Sequence, residues 1–299
     1  MRNGTFSGCS EEIKRCKKLY KEFGEAEVFL TGICKEADQY FQKNPVDVIP
    51  LFDAEEAENK IRSGNSIKLN PPLVKKQFGE LFKKATEVMA QVNKELKHTA
   101  KTLDDKLEQF LKASSDELSK EDVYNFRDSL IKETVLEKDM ATFLFSFLLS
   151  SFYRQQLDSI KEVIRTDLWE GGECPLCGER PHFALLTSDS GAKQLECWLC
   201  GTEWIHTRVK CPFCDNEDHE KLGYFTIEDS EICRVNVCNS CCQYYKVFDA
   251  RKFHVGEEVV LTIHNLATLD YDLLARQEGY LPGSGLEWVN DSEVSDRQD

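Results

Sequence analysis

The sequence predicts an α+β protein with a helical bundle in its N-terminal half and two tandem four-cysteine ribbon modules, rubredoxin-like or zinc-ribbon in type, in its second half, closed by a C-terminal helix. Three observations lead to this prediction. Helical apolar spacing dominates up to about residue 168. Short segments rich in β-branched and aromatic residues follow. Ten of the 13 cysteines lie between Cys174 and Cys242.

Residues 1–168 are predicted to form the helical domain. Apolar residues recur every three or four positions from Phe78 to Leu96, which predicts one face of a helix that starts after Asn70-Pro71-Pro72. Ser119 stands before two acidic residues and an apolar run, which is typical of a capped helix. A long apolar helix over about 142–164 closes this half.

The first 50 residues are predicted to contain one or two further helices over 11–42, with Gly24 and Gly32 as candidate breaks. Asn44 to Pro50 is predicted to be an extended connector, because proline disfavours helix and restricts the residue before it. Cys16 and Cys34 lie within the helical pattern. We expect them to be buried packing residues, since free cysteine packs well in apolar surroundings.

After residue 168 the pattern changes from helix to strand. The stretch WEGG at 169–172 interrupts the helical spacing, and six strands are predicted, over 183–189, 193–199, 203–209, 221–227, 233–237 and 243–249. Helical spacing returns over 266–279. The predicted domains are therefore a first ribbon over 169–206, a second ribbon with its closing helix over 207–282, and a disordered tail over 283–299.

Charge and hydropathy limit the classes of function. The formal net charge of −15 disfavours nucleic acid as a partner, because Lys and Arg neutralising phosphate supply most of that affinity. The longest apolar stretch, 143–152, is about half the length that a membrane-spanning helix needs. The first residues contain no apolar core of a secretory signal. We expect a soluble cytoplasmic protein without a membrane partner.

The cysteine pattern predicts two metal sites. Four CxxC pairs occur, and successive pairs are spaced as in metal-binding ribbons. Two residues between cysteines allow a tight turn to direct both sulfurs at one ion, and a hairpin brings a second pair to the other side. The expected ligands are Cys174, Cys177, Cys197, Cys200, Cys211, Cys214, Cys238 and Cys241. Gly178 and Gly201 follow a pair directly, which suits the positive φ of such turns.

Spacing favours sequential pairing, in which each ribbon closes locally, and leaves a cross-braced arrangement open. A tetrahedral site of four sulfurs accepts zinc or iron, so both metals remain candidates. Cys233 is expected to be a packing residue. Cys242 is an alternative to Cys241 as ligand, although C-x2-C fits Cys238 and Cys241 better.

Nothing in the sequence requires catalysis. The stretch 174–242 has six basic and eleven acidic residues, so this half is acidic, and eight thiolates on two divalent ions would add negative charge. The histidines of this half are expected to be ordinary strand or loop residues, because both four-cysteine sets are complete without them: His182, His206, His219, His254 and His264. No nucleophile triad, carboxylate pair or phosphate loop stands out.

The motifs CPLCG, CWLCGTEWIHTRVKCPFC, VCNSCCQYYKVF and LATLDYDLLARQEGY resemble those of the FdhE family of formate dehydrogenase accessory proteins. The resemblance covers about 169–282, and its most specific part is the ordered run CxLCxTEWxxxRxKCxxC. It implies a cytoplasmic maturation factor, not an enzyme, that binds the catalytic subunit of formate dehydrogenase and holds iron at rubredoxin-like sites formed by the eight cysteines. Family members commonly have a small residue where this chain has Cys242. A homodimer is as compatible with the sequence as a monomer.

Thr202, Glu203, Trp204, Arg208 and Lys210 also match the family run, between the two half-sites. Two interpretations stay open for them. In one, Trp204 packs the two ribbons together and Glu203 and Arg208 form an ordinary ion pair. In the other, these residues form a docking or redox-tuning surface. The alternative functions are a rubredoxin-like redox protein and, less favoured by the charge, a zinc-ribbon nucleic-acid binder.

Overall fold

A computed structural model describes residues 12–16, 24–46, 53–161, 164–227, 232–253 and 261–284. It divides the chain into two compact units, Met1–Leu51 with Asn70–Glu162, and Phe52–Leu69 with Val163–Asp299. The second unit therefore includes a segment that lies far from it in sequence. None of the helices in the described ranges is both long and apolar enough to cross a membrane.

The described helices are α1 (Gly24–Lys43), α2 (Ala54–Arg62), α3 (Lys75–Val92), α4 (Lys97–Ala113), α5 (Lys120–Lys132), α6 (Lys138–Lys161), α7 (Leu261–Leu266) and α8 (Leu269–Gln277). The strands are β1 (Leu73–Val74), β2 (Glu117–Leu118), β3 (Pro181–Leu186), β4 (Lys193–Cys197), β5 (Glu203–His206), β6 (Leu222–Phe225), β7 (Cys233–Cys238), β8 (Gln243–Asp249) and β9 (Leu281–Pro282). Residues 12–16 are also helical.

The first unit is a helical bundle around an aromatic core. The rings of Phe110 on α4 and Phe126 on α5 stack with centroids 4.4 Å apart, and Phe82 and Phe145 meet Phe126 at their edges or at an angle. The predicted cap of α5 is confirmed: Ser119 Oγ accepts from the Asp122 N–H while the Asp122 carboxylate accepts from the Ser119 N–H. This reciprocal pair satisfies two backbone donors at the start of the helix.

Gly32 does not break the first helix, so that prediction is wrong. It lies inside α1, and a Cβ at this position would stand 2.5 Å from Val88 Cγ1 on α3. The missing side chain lets the two helices approach closely, and this tertiary contact outweighs the modest cost of glycine in a helix. Gly24 is the first residue of α1.

Other boundaries in this unit shift by a few residues. The helix expected over Phe78–Leu96 is α3, which ends at Val92 because Asn93 is extended and its side chain caps a short 3-10 turn. The long apolar helix is α6, which begins at Lys138. The sequence reasoning did not single out α4. Of the predicted connector Asn44–Pro50, residues 47–50 lie outside the described residues, as do His254 and residues 285–299 of the predicted tail.

The six predicted strands are all present, and they form one sheet rather than two separate ribbons. Its order is β5-β4-β3-β8-β7-β6, with β9 added beside β8. Within each ribbon the strands are antiparallel, while β3 and β8 pair in parallel and join the ribbons. The second ribbon therefore repeats the first by translation across the sheet. Because β4 and β7 run in the same direction, the turns that follow them lie at the same end of the sheet.

One face of this sheet forms an apolar core with α8. Phe183, Phe248, Val235 and Cys233 pack there with Tyr271 and Ala275 of the helix. The closing helix predicted over 266–279 is α8, which starts at Leu269, and the separate short helix α7 ends before it at Leu266. The Thr268 hydroxyl between them donates to the carbonyls of His264 and Asn265, which competes with continuation of the helix.

Candidate metal centres

Each CxxC pair lies in a tight turn with the same backbone geometry. In all four turns, the N–H of the residue after the second cysteine bonds to the carbonyl of the first, over 2.8–3.1 Å. That following residue has a positive φ in every case: 77° at Gly178, 68° at Gly201, 59° at Asp215 and 54° at Cys242. The glycine prediction is thus confirmed at the first two positions. At the other two, a residue with a side chain occupies the left-handed region, which costs conformational energy.

The structure groups the pairs sequentially. The first cage comprises the thiols of Cys174, Cys177, Cys197 and Cys200, whose Sγ atoms all lie within 4.8 Å of one another. The Sγ atoms of Cys174 and Cys200 are 3.6 Å apart, and Cys177 Sγ is 3.5 Å from both Cys197 Sγ and Cys200 Sγ. Four sulfurs at a Zn–S distance near 2.3 Å in a tetrahedron stand about 3.8 Å apart, so this donor set fits one tetrahedral ion.

The second cage has the same form. It comprises Cys211, Cys214, Cys238 and Cys241, again with all four sulfurs within 4.8 Å of one another. The Sγ distances are 3.8 Å between Cys211 and Cys241 and 3.7 Å between Cys214 and Cys238. A thiolate set of this geometry is typical of zinc or iron. The cross-braced arrangement that spacing left open is not the one that the structure shows.

The two cages differ in exposure. In the first, Cys174, Cys197 and Cys200 are fully buried and Cys177 is partly buried. In the second, Cys211 and Cys238 are buried, Cys241 is partly buried and Cys214 is exposed. Solvent, a chelator or a partner molecule can therefore reach a sulfur of the second cage more directly.

Burial and mutual contact also set the acidity of the thiols. Burial, and then the neighbouring thiols, raise the pKa of Cys197 well above its usual value. Burial also raises the pKa of Cys211 to about 11. The backbone N–H groups of Phe213 and Cys214 donate to this sulfur and lower the pKa, but burial has the larger effect. Since a metal binds the thiolate, loading of each cage must release these protons.

A segment of the first 70 residues covers the first cage. Ile67 and Leu69 donate backbone hydrogen bonds to the carbonyls of Pro175 and Leu176, both 2.9 Å long. The Ser66 hydroxyl donates to the Cys174 carbonyl over 2.9 Å. Sequence reasoning missed this contact, because residues 66–69 carry no motif and lie more than 100 positions before the cage.

Trp204 is a buried, hydrogen-bonded side chain of β5. Only 1% of it is exposed, and its Nε1 donates to the Gly171 carbonyl over 3.0 Å. A Cβ at the neighbouring Gly172 would stand 1.9 Å from the carbonyl oxygen of Pro212 in the second cage turn, so the two ribbons meet closely here. These contacts favour the packing interpretation of Trp204.

The packing interpretation also pairs Glu203 with Arg208, but the contact that the structure gives Glu203 is with the neighbouring strand. Glu203 Oε2 instead accepts from Gln194 Nε2 on the neighbouring strand, over 2.8 Å. Arg208 is exposed in the segment between the cages, and the Lys210 ammonium pairs with Asp215 at 3.0 Å. Thr202 Oγ1 lies 3.0 Å from Cys200 Sγ.

The other cysteines of the described ranges lie outside both cages. Cys233 is 2% exposed and belongs to the apolar core of the sheet, as predicted. Cys242 is exposed and follows the second cage directly. Cys16 and Cys34 are buried, as expected.

A buried polar group lies between the first ribbon and the second cage. Lys193 on β4 is 2% exposed, and its Nζ donates to the Lys210 carbonyl over 2.8 Å and to the Tyr245 hydroxyl over 3.3 Å. Burial lowers the pKa of Lys193 to about 7. His206 pairs with Lys193 across β5 and β4, and burial lowers its pKa to about 4. Sequence reasoning left His206 as an ordinary strand residue, and no motif marks either side chain.

Together these features define a class of protein, a helical bundle followed by tandem rubredoxin-like or zinc-ribbon modules of four cysteines each on one sheet. No established family profile matches the chain. Over 167 residues it is 28% identical to "Protein FdhE homolog" of Aquifex aeolicus, covering 55% of this chain and 57% of that protein. It is 31% identical over 153 residues to "Protein FdhE" of Escherichia coli O1:K1 / APEC, covering 50% of this chain and 48% of that protein.

The fold is also similar to that of a solved protein. The crystal structure of the FdhE protein from Pseudomonas aeruginosa matches with a TM-score of 0.64 over 95% of both chains, at 20% sequence identity. The resemblance to FdhE proteins is therefore confirmed, in sequence over half the chain and in fold over nearly all of it. The sequence matches span about half the length of the curated relatives.

Proposed function

We propose that this chain is a non-catalytic accessory factor for formate dehydrogenase maturation, which acts in the cytoplasm and binds the catalytic subunit through its double ribbon of two four-cysteine cages. The observation that carries the proposal is the pair of cages in a chain that matches proteins named FdhE. The chain matches those relatives over only about half of their length. The formate dehydrogenase partner is therefore proposed together with the role.

The eight cage cysteines are proposed as the metal ligands. Zinc in both cages would contribute folding free energy only, since zinc has no redox chemistry. Iron would also supply a one-electron couple, tuned by hydrogen bonds to sulfur and by solvent exposure. The exposed thiol of Cys214 makes the second cage the better candidate for contact with a partner.

Anaerobic co-purification with the formate dehydrogenase catalytic subunit tests the proposal. The chain as it exists, loaded with metal, should retain the subunit, and Cys177→Ser and Cys214→Ser should weaken retention because each removes a proposed ligand. Cys242→Ser is the matched control, since it replaces an exposed cysteine outside the cages. Failure of the wild-type chain to retain the subunit would contradict the proposed role.

Rubredoxin-like electron transfer is the second candidate, favoured by the exposure of Cys214. An exposed ligand shortens the path from the metal to the surface. An anaerobic redox titration should then show a reversible iron couple that Cys214→Ser shifts or removes. Zinc occupancy of both cages without any couple would exclude this candidate. The net charge of −15 continues to disfavour the nucleic-acid alternative, which a binding assay at low salt can check.

A further inference from the structure

A cavity beside the second cage is lined by groups that favour an anion. Its volume is about 160 Å³, and it lies between the segment 208–211 and strands β6, β7 and β8. Arg208, Lys210 and His219 line it, and two cage cysteines, Cys211 and Cys238, form part of its wall. None of the lining residues in the described part of the chain is acidic. This composition contrasts with the net charge of −15 of the whole chain.

Further positive charge surrounds the cavity. The guanidinium of Arg234 lies over the ring of Tyr224, which lines the cavity, with 4.8 Å from Cζ to the ring centroid. Lys193 approaches from beneath, with its Nζ 3.3 Å from the hydroxyl of the lining residue Tyr245. These two side chains add to the cationic groups that line the cavity itself.

Carboxylates near the cavity offset only part of this charge. The Lys210 ammonium lies 3.0 Å from Asp215 and 3.9 Å from Glu217, and both acids are largely exposed. Solvent screens exposed pairs of this kind, so their effect on the cavity is weak. Three cationic side chains, Arg208, Lys210 and Arg234, therefore converge here, and of these only that of Lys210 is paired with these two acids. Lys193 adds a fourth charge below its pKa of about 7, while the thiolates of a metal-loaded second cage would oppose part of the total.

Tyr245 and Asn236 line the cavity and belong to a buried hydrogen-bond network with Lys193. The Tyr245 hydroxyl, in a residue only 7% exposed, accepts from both Lys193 Nζ and Asn236 Nδ2. In this amide orientation the Tyr245 proton has no acceptor among the described residues. With the Asn236 amide reversed, the Tyr245 hydroxyl donates to Asn236 Oδ1, and the Asn236 Nδ2 group is then the donor without an acceptor. With Lys193 protonated, one donor of this network lacks an acceptor among the described residues in either orientation, which costs free energy unless a ligand supplies one.

The volume and lining of the cavity favour a carboxylate attached to a small apolar group. Its volume accommodates one side chain or a molecule of similar size. Val209 and Tyr224 at the wall are 55% and 65% exposed, so they offer apolar contact near the cationic groups. Carboxylate oxygens accept from guanidinium, ammonium and phenol donors, and such charge-assisted bonds are stronger than neutral ones.

We propose that this cavity is a carboxylate-binding site, filled either by a small free carboxylate or by an acidic side chain of a partner. The site adjoins the second cage, so occupancy would be sensed at its metal. The proposal does not rest on a role in formate dehydrogenase maturation, and it can fail or hold independently of that role.

Saturation-transfer NMR on the zinc-loaded full chain tests it with sodium acetate as the probe and acetamide as the neutral, equally shaped control. We expect saturable binding of acetate and none of acetamide. In the cobalt-loaded chain, the acetate methyl protons should relax faster in the same saturable manner, because the cavity wall includes two cage cysteines. Non-saturable acetate signals, or equal acetamide binding, would overturn the proposal.

Variants locate the site. Arg208→Gln and Tyr245→Phe should each weaken acetate binding roughly tenfold, as expected for loss of a charge-assisted or buried hydrogen bond. Arg62→Gln, an exposed change of the same charge on α2, should leave it unaltered. Arg208 is exposed, so its substitution keeps the fold even where Tyr245→Phe disturbs packing. If Arg62→Gln weakened acetate binding as much as Arg208→Gln, the effect would be one of general charge, and the proposed site would be overturned.

The source of the carboxylate is distinguished by a second probe. An N-acetylated tripeptide amide with a central glutamate is compared with its glutamine counterpart. Glutamate-specific, saturable binding that Arg208→Gln weakens supports a partner side chain, while binding of acetate alone supports a free molecule. Binding of neither acid, with two metals per chain verified, would mean that the cations only balance the thiolate charge of the second cage.

Discussion

Trp204 Nε1 donates to the Gly171 carbonyl oxygen over 3.0 Å and so links β5 to the segment that enters the first cage. Trp204→Phe should lower the free energy of unfolding by about 1–3 kcal/mol, because it removes the donor to a partly buried carbonyl and reduces the volume of a buried side chain. Trp204→Ala should cost about 3–5 kcal/mol through the added cavity. Urea unfolding of the metal-loaded chain measures both.

The neighbouring Ile205 offers a control for this change. It is 49% exposed on the opposite face of β5, so Ile205→Val should alter stability little. If Trp204→Phe were as mild as Ile205→Val, the packing interpretation would fail and a docking role for Trp204 would gain support.

The unequal exposure of the cages predicts two rates of metal loss. A chelator should remove metal from the second cage roughly tenfold faster than from the first, since Cys214 is exposed whereas three first-cage cysteines are fully buried. Cys214→Ser should abolish the fast phase and Cys177→Ser the slow phase, in a stopped-flow chelation assay with a chromogenic indicator. A single phase in the wild-type chain would contradict the asymmetry.

The positive φ of 54° at Cys242 predicts that glycine at this position makes the folded chain more stable. Cys242→Gly should raise the free energy of unfolding by about 1 kcal/mol, because the left-handed region costs a residue with a Cβ about that much. Thermal unfolding and metal analysis together measure the effect. Gly201→Ala, at φ 68°, is the reverse change and should destabilise the chain. Fewer than two metals per chain in Cys242→Gly would instead identify Cys242 as a ligand.

The buried His206 predicts a pH dependence of stability. Burial holds its pKa in the folded chain at about 4, below the unfolded value near 6.5. As pH falls, His206 is therefore protonated in the unfolded chain before it is protonated in the folded chain. The free energy of unfolding is highest above about pH 6.5 and decreases as the pH falls toward 4. The loss should reach about 2 kcal/mol by pH 5.

Comparison with His206→Asn isolates this contribution, because acid also weakens metal binding in both chains. The difference in unfolding free energy between wild type and variant should shrink as pH falls from about 7 to about 5. Parallel curves over that range would show that His206 is protonated in the folded chain or does not control the slope.

Local patterns account for most of the elements. Alternating β-branched and aromatic residues located all six strands of the ribbons, and the Ser119 signal located the start of α5. Local patterns placed the ends of the helices and the breaks between them less accurately. Gly32 lies inside α1, where Val88 of α3 packs against it, and that contact is invisible along the chain.

The sequence by itself identified the eight cage cysteines and favoured their sequential grouping, because CxxC turns and hairpin strands are local structures that bring their own sulfurs into range. The structure decided that grouping against the cross-braced one. Tertiary structure alone decided that the ribbons join through β3 and β8, that residues 66–69 cover the first cage, and that Cys214 remains exposed. These features depend on contacts between distant segments, whose partners are chosen by packing and backbone hydrogen bonding rather than by any pattern within one segment.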